Sequence, residues 1–177
     1  MAVSRSMPAA LRTRVLIVAV LLVAGAAMLV FVFRPALTTA PAARAGAAFV
    51  PAVDGRRTAL GAARGELHVV NFWATSCAVC VAEMPDLAAF ARKTPTVPVI
   101  AVAMPYDPPN RVVEFAEQSA FPFTVAFDWT GEALAAFPEF EGTPTTFVVA
   151  GDGTIRQTQY GRIDFGRLAD AIAPAGP

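Results

Sequence analysis

The chain has 177 residues, and its only two cysteines, Cys77 and Cys80, lie in the segment NFWATSCAVC. The apolar run over residues 67–73 is typical of a buried strand, and residues 77–93 have the pattern of a helix. The first cysteine would therefore lie at a helix N-terminus, where free N–H groups and the helix dipole favour a thiolate. A thiolate is the nucleophile of thiol–disulfide exchange, and a second thiol one turn later can attack the resulting mixed disulfide. The pattern predicts Cys77 as the attacking thiol and Cys80 as the resolving one.

Three other uses of the two cysteines are possible. A purely structural disulfide would close a loop of about four residues, which constrains the unfolded chain little. A zinc site requires about four ligands, and the chain offers two cysteines and a single histidine, His68. Copper(I) bound by the pair is chemically possible, because soft thiolates suit this ion. We expect no cofactor, and we expect His68, which alternates with apolar residues in a strand, to be a core or edge residue.

The elements that must position the cysteines follow from the rest of the pattern. The turn dipeptides Asp54-Gly55 and Asp152-Gly153 predict two hairpins. Strands are expected near residues 49–52, 57–60, 67–73, 97–103, 123–127, 145–150 and 154–160, and helices over 77–93, from Pro108-Pro109 onwards, over 131–137 and from Asp164 to Ile172. Helices between strands indicate parallel crossovers, and the last hairpin adds an antiparallel edge. The predicted fold class is α/β, with a mixed central β-sheet flanked by helices.

The formal net charge is zero, but the charges are unevenly distributed. Residues 1–45 contain five arginines and no acid, whereas residues 46–177 contain nine basic and 14 acidic side chains, a net charge of −5. A hydrophobic share of 55% excludes intrinsic disorder as the main state. No basic domain is present that could bind a nucleic-acid backbone.

An uncharged apolar run of 19 residues, over 15–33, explains this asymmetry. As a helix it would be roughly 28 Å long, about the thickness of the hydrocarbon core of a bilayer. Arg5, Arg12 and Arg14 precede it, so the positive-inside rule predicts a cytoplasmic N-terminus over residues 1–14. A cleaved signal peptide or a buried core helix are the alternatives to this anchor. We expect a linker over 34–46 and the catalytic domain over 47–177, on the far side of the membrane.

Residues 47–173 resemble the thioredoxin superfamily, and more narrowly its membrane-anchored TlpA/ResA-like oxidoreductases. NFWATSCAVC resembles the segment of strand, turn and CxxC dithiol in that family, with Trp73 as the aromatic residue before the redox turn. Pro85 matches the proline that kinks the active-site helix, and Gly161 matches a glycine after the last strand. The resemblance implies a thioredoxin-like fold preceded by an N-terminal transmembrane helix.

GTPTTFVV, at 142–149, resembles the strand that follows the cis-proline of this family, which makes Pro144 the cis-proline candidate. In the family this loop packs opposite the CxxC dithiol, and the backbone of the preceding residue, here Thr143, pairs with substrate. The resemblance therefore implies that Thr143, Pro144 and Trp73 contact the substrate.

Asn71 and Glu83 also match the anchored branch of the family. Asn71 replaces the buried aspartate of cytoplasmic thioredoxins, and an amide cannot titrate. By resemblance Glu83, three residues after Cys80, lies near the dithiol as a third catalytic residue and tunes its protonation. Our hypothesis is that a carboxylate in this place makes the thiolate less favourable. A solvated helix acid is the alternative interpretation.

The resemblance implies an extracytoplasmic protein disulfide reductase of the bacterial inner membrane, facing the periplasm. Its substrates would be specific partner proteins, as in cytochrome c maturation or copper-site assembly, and a membrane thiol-electron transporter would reduce it. Ser76 and Val79 depart from the Trp and Pro common around the CxxC cysteines, and the dipeptide between the cysteines helps to set the redox potential. A copper(I) chaperone or a redox-inert interaction module on the same fold is the alternative. Peroxidase chemistry is disfavoured, because residues 71–76 contain no proline to build its pocket.

Overall fold

The structure, a computed structural model, describes residues 9–33 and 42–174. The chain divides into two compact units, with the division between Pro41 and Ala42. The first unit contains helix α1, Ala9–Phe33. The predicted apolar helix of residues 15–33 lies within α1. Among the described residues, no helix combines the length and the hydropathy of a membrane-spanning segment.

The second unit has the predicted α/β architecture. Its strands are β1 (Ala47–Pro51), β2 (Arg57–Gly61), β3 (His68–Trp73), β4 (Val99–Ala103), β5 (Thr124–Phe127), β6 (Thr145–Val149) and β7 (Ile155–Tyr160). Its helices are α2 (Ala78–Lys93), α3 (Pro109–Ser119), α4 (Glu132–Ala136) and α5 (Phe165–Ile172). Each predicted strand and helix of the domain is confirmed within a few residues, because turn residues and proline positions limit each element.

The domain contains two sheets. β1 and β2 form an antiparallel hairpin, and the other strands form a five-stranded sheet in the order β5-β4-β3-β6-β7. β5, β4 and β3 are parallel, whereas β6 runs antiparallel to β3 and to β7. This mixed sheet, flanked by helices, is the thioredoxin-like fold that the sequence predicts. β3 is its central strand, and all six of its residues are buried.

The two faces of the central sheet bury separate apolar cores. Alternate residues of β3 point to opposite faces, as the pleat of a strand requires. Val70 and Phe72 pack with the β1–β2 hairpin and α4. Val69 and Trp73 pack with α2, α3 and α5 on the other face. The second face therefore includes the helix that begins at the cysteines.

The predicted linker of residues 34–46 is wrong at its C-terminal end. Residues 34–41 lie outside the described residues, but residues 42–46 belong to the domain. Ala45 is buried and its N–H donates to the Gly153 carbonyl over 2.8 Å. The Gly46 N–H donates to Ala136 over 2.7 Å. Backbone contacts made by small residues leave no apolar periodicity, so the sequence pattern did not reveal them.

His68 is a buried core residue, as predicted. Its Nε2 accepts a hydrogen bond from the Gly61 N–H over 3.2 Å, and its Nδ1 lies 2.7 Å from the Glu66 carbonyl oxygen. A carbonyl only accepts, so Nδ1 carries the proton of a neutral ring. Burial lowers the pKa of His68 to about 4 from its ordinary value of 6.5. Protonation of Nε2 would break the bond to Gly61.

This pKa predicts a pH-dependent loss of stability. Between about pH 6.5 and pH 4 the unfolded chain binds the His68 proton and the folded domain does not, so stability falls as the pH falls through this range. The stability that depends on the neutral His68 ring is fully present above pH 6.5, and it corresponds to about 3 kcal/mol in the free energy of unfolding. Urea unfolding between pH 7 and pH 4 should show a shallower pH dependence for His68→Gln than for the unchanged chain. Equal slopes would contradict the assignment.

Candidate active site

The two cysteines lie at the junction of β3 and α2. Cys77 is the N-cap residue of α2, and its N–H donates to the Ala74 carbonyl over 3.1 Å. The Cys77 Sγ accepts a hydrogen bond from the Cys80 N–H over 3.2 Å. The two sulfurs form a disulfide in this structure. A helix N-terminus supplies N–H donors and a positive dipole end, so this position stabilises negative charge on the Cys77 sulfur.

The two sulfur-bearing residues differ in accessibility. Cys77 is half-buried, whereas Cys80 is only 3% exposed and belongs to the core of the α2 face. Only Cys77 therefore has a surface that a second disulfide could approach. The order of attack stays a prediction, and this difference supports it.

Pro144 lies next to the redox turn. The Thr143–Pro144 peptide bond is cis. β6 pairs with β3 so that Thr145 lies opposite Phe72, which brings Pro144 to the level of Trp73 at the end of the strand. The Pro144 carbonyl accepts from the Gly161 N–H over 2.8 Å, and Thr143 is half-buried. The structure thus brings Thr143 and Pro144 to the edge of the sheet where the dithiol lies.

Trp73 does not have the surface that its predicted role requires. Its side chain is fully buried, and its ring packs on Phe115 of α3 with centroids 5.3 Å apart. The residue occupies a position of β3 whose side chain points into the α2–α3 core. The predicted contact with substrate is therefore wrong for this conformation. Trp73 instead packs in the core beneath the redox turn, between β3 and helices α2 and α3.

Glu83 is buried in α2, one turn after Cys80, with 7% of its surface exposed. Its Oε1 accepts a hydrogen bond from the Ile163 N–H over 2.7 Å. Its Oε2 is buried without a hydrogen-bond partner in the described part of the chain. The solvated helix acid is thus excluded, and an unpartnered carboxylate oxygen of this kind is costly to bury. The action of Glu83 on the dithiol stays a hypothesis.

Asn71 has a structural contact and no titratable group. It is buried in β3, and its Nδ2 donates to the Thr146 Oγ1 on β6 over 2.9 Å. This cross-strand bond satisfies the amide in the core. Glu83 is therefore the buried acid near the dithiol on the α2 face, and Asn71 stabilises the pairing of β3 with β6.

Asp107 is part of the site although the motif analysis did not select it. It follows β4, is only 3% exposed, and both of its carboxylate oxygens accept from Thr75. The Thr75 N–H lies 2.6 Å from Oδ2 and the Thr75 Oγ1 lies 2.5 Å from Oδ1. Thr75 lies two residues before Cys77, so Asp107 fixes the start of the redox turn. The sequence did contain a signal for this residue, because Asp107 follows a predicted parallel strand and the carboxyl ends of parallel strands share one edge of a sheet.

A cavity and a buried acid of the domain do not involve the predicted site residues. A cavity of about 730 Å³ is lined by residues such as Asp54, Glu117 and Phe123 and contains none of the predicted site residues. Among the residues that the structure describes, no group of three or more His, Cys, Asp or Glu side chains could hold a metal ion. Asp128 is buried, and its carboxylate accepts hydrogen bonds from the N–H groups of Ala133 and Leu134 at the start of α4.

Comparison with known proteins gives a consistent result. The sequence model of the Redoxin family matches residues 35–172. The thiol-disulfide oxidoreductase ResA of Oceanobacillus iheyensis is 29% identical over 126 residues, which cover 71% of this chain and 65% of ResA. The thiol:disulfide interchange protein HelX of Rhodobacter capsulatus is 32% identical over 91 residues, which cover 51% of this chain and 50% of HelX. The chain thus spans less than two thirds of the length of the curated relatives it matches.

Solved structures show the same fold. A putative thioredoxin from Neisseria meningitidis is 32% identical, with a TM-score of 0.64 over 72% of this chain and 86% of that protein. A thio-disulfide isomerase from Thermus thermophilus is 27% identical, with a TM-score of 0.61 over 76% of this chain and 95% of that protein.

The buried acid gives a prediction about the cysteines. Glu83→Gln keeps an oxygen that can accept from Ile163 and removes the negative charge. Thiol alkylation of the reduced protein should then reach half its maximal rate at a lower pH, by on the order of one pH unit. Asp86→Asn, an exposed acid on the same helix, is the matched control and should leave the profile unchanged. The hypothesis is wrong if the Gln variant keeps the original profile.

Proposed function

Because the chain belongs to the Redoxin family, as a TlpA/ResA-like member of the thioredoxin superfamily, we propose that it is a thiol–disulfide oxidoreductase. The observation that supports this most directly is the Cys77–Cys80 pair at the N-terminus of α2, with Cys77 half-buried and Cys80 buried. The pair lies beside the Thr143–Pro144 loop, on the edge of the sheet where β3 and β4 end.

The proposed reaction is a two-electron exchange in two steps. The Cys77 thiolate attacks one sulfur of a partner disulfide, so that a mixed disulfide forms and the other partner sulfur leaves as a thiolate. The Cys80 thiol loses its proton and attacks the Cys77 sulfur. The Cys77–Cys80 disulfide forms, and the partner leaves with both of its sulfurs reduced and protonated from solvent. The buried position of Cys80 keeps it from competing for external disulfides.

The chain's own groups assist this exchange at defined atoms. The N–H of Cys80 points at the Cys77 sulfur and stabilises its thiolate. Asp107 holds Thr75 through two hydrogen bonds and keeps the turn in place when the disulfide opens. Glu83, whose Oε2 is unpartnered in the described core, is the proposed proton acceptor for the Cys80 thiol.

The proposed direction is the reduction of specific protein disulfides, of the type found in cytochrome c maturation or copper-site assembly. The similarity to ResA and HelX supports thiol–disulfide interchange, and the choice of these partners comes from the family resemblance. An oxidising compartment would require the dithiol to be reduced again. The proposed reductant is a membrane thiol-electron transporter.

The proposed location rests on the sequence alone. The uncharged run over 15–33, with three arginines before it, favours a single-pass anchor in the bacterial inner membrane with a cytoplasmic N-terminus. The catalytic domain, with a net charge of −5 over residues 46–177, would then face the periplasm.

Cysteine variants test the reaction. Cys80→Ser keeps the attacking thiol and lacks the resolving one, so it should accumulate a one-to-one mixed disulfide with a disulfide substrate. Cys77→Ser, the matched variant at the other sulfur, should form none and should show no detectable reduction. Non-reducing gels and mass spectrometry of both variants measure this. Equal trapping by the two variants would disprove the assigned order, and a lack of disulfide reduction by the unchanged chain would disprove the function.

Reporter fusions test the location. Alkaline phosphatase fused after residue 177 should be active, because it folds with disulfides only outside the cytoplasm. Green fluorescent protein at the same position should be dark if the domain is exported in unfolded form. The mass of the protein extracted from membranes should correspond to the full chain, whereas a mass lacking the first 40 or so residues would indicate a cleaved signal. A fluorescent green fluorescent protein fusion together with an inactive alkaline phosphatase fusion would rule out the periplasmic location.

A further inference from the structure

A groove runs between α2 and α3 and begins next to the dithiol. One cavity, of about 230 Å³, is lined by Thr75, Arg111 and Glu114 among others. A second, of about 460 Å³, extends to Arg92 at the last turn of α2. Val81 and Phe115 line both cavities, so the two are adjacent. We refer to the surface from Thr75 to Arg92 as the α2–α3 groove.

The length of this groove matches a peptide rather than a small molecule. Arg92 lies 17 positions after Thr75, nearly all of them in helix α2, and at about 1.5 Å per position they span about 25 Å. An extended chain rises about 3.3 Å per residue, so about seven or eight residues would cover this distance.

The middle of the groove is apolar and has a main-chain acceptor. Met84, Ala88 and Phe115 line it, and Met84 is otherwise buried in the core. Pro85 also lines it and is the only proline within α2. Because proline has no N–H, the Val81 carbonyl lacks its usual donor four residues later in the helix. A partner main chain lying here would meet apolar side chains and one carbonyl whose helical partner is missing.

An arginine lies at each end of the groove, and an acid, Glu114, accompanies the one at the dithiol end. Arg111 lies at the dithiol end and Arg92 at the far end, and both are exposed. Neither takes part in an ion pair within the described residues. Glu114, the acid at the dithiol end, accepts a hydrogen bond from Gln118 over 3.1 Å. Two unpaired cations at the ends of an apolar groove are notable in a domain whose net charge is −5.

We propose that the α2–α3 groove binds an extended segment of the partner protein, about seven or eight residues long, with apolar side chains in its middle and an acidic side chain near each end. The inference rests on the proposed function, since the segment lies next to the disulfide that Cys77 attacks. It adds a recognition surface, separate from the Thr143–Pro144 loop, that selects the partner. The arginines pair with the two acids, and the apolar side chains fill the cavity over Met84 and Phe115. An apolar small molecule with one carboxylate could engage only one of the two arginines.

Three peptide disulfides test the proposal with the full chain in phosphatidylcholine nanodiscs. Each is a symmetric dimer of an eight-residue peptide joined through a terminal cysteine, made with the cysteine at either end. The first peptide has leucines in the middle and a glutamate towards each end. The second has lysines for the glutamates, and the third has lysines for the glutamates and serines for the leucines. The rate at which each oxidises the reduced protein is measured by acid quenching and mass spectrometry.

The Leu/Glu peptide should react at least ten-fold faster than either lysine peptide, in at least one orientation. This preference runs against the overall field, because a domain of net charge −5 attracts lysine peptides and repels acidic ones. It should disappear in Arg92→Gln with Arg111→Gln. It should persist in Arg156→Gln with Arg167→Gln, which removes the same charge from exposed arginines of β7 and α5, away from the groove.

A small neutral disulfide, bis(2-hydroxyethyl) disulfide, distinguishes failure of the groove proposal from failure of the proposed function. It should oxidise the unchanged chain and both double variants at the same rate. If it does so while the peptides react equally, the groove proposal is overturned and the proposed function stands. Equal rates for the Leu/Glu and Leu/Lys peptides, both faster than the Ser/Lys peptide, would show that the groove binds an apolar ligand without regard to charge. That result would also overturn the groove proposal. If no disulfide reacts, the proposed function fails and the groove proposal fails with it.

Discussion

Strand β3 is hydrogen-bonded to β4 on one side and to β6 on the other, and the arrangement of the dithiol depends on this double pairing. The parallel pairing places the end of β4, and hence Asp107, beside the turn that follows β3. The antiparallel pairing places the start of β6, and hence Pro144, on the other side of the same turn. Three segments distant in sequence meet at one edge only because β3 lies at the centre of the sheet. Its complete burial and the Asn71–Thr146 bond stabilise that position.

Helix α2 brings two groups of opposite expected effect to the dithiol. Its N-terminus presents N–H groups and a positive dipole end to the Cys77 sulfur, which favours the thiolate. Glu83, on the same helix and one turn beyond Cys80, is buried with one oxygen unpartnered among the described residues. Under our hypothesis, a carboxylate in this place makes the thiolate less favourable. The balance of the two effects would then set how readily the pair gives up its electrons.

The net charge of the domain and the charge of the two groove arginines have opposite signs. Residues 46–177 have a net charge of −5, yet Arg92 and Arg111 stand at the two ends of the α2–α3 groove. Long-range attraction and local recognition would thus favour different partners, and local contacts prevail at short range because screening removes the distant field. A partner that satisfies both arginines would be held against a surface that otherwise repels acids. This combination is a means of selectivity for an exchange reaction whose chemistry is the same for any disulfide.

Local signals in the sequence determined the elements of the domain and the position of the cysteines at a strand-to-helix junction, and the family resemblance supplied the cis-proline candidate. Turn dipeptides, the helix-starting Pro108-Pro109 and the N-cap Asp164 act over a few residues, so the pattern alone could predict them. Only the tertiary structure decided that Trp73 is buried against Phe115, that Asp107 binds Thr75, that residues 42–46 join the domain and that Glu83 is buried beside Ile163. Each of these depends on which segments pack together across the sheet, and burial and hydrogen bonding between distant segments leave no periodic trace in the sequence of either one.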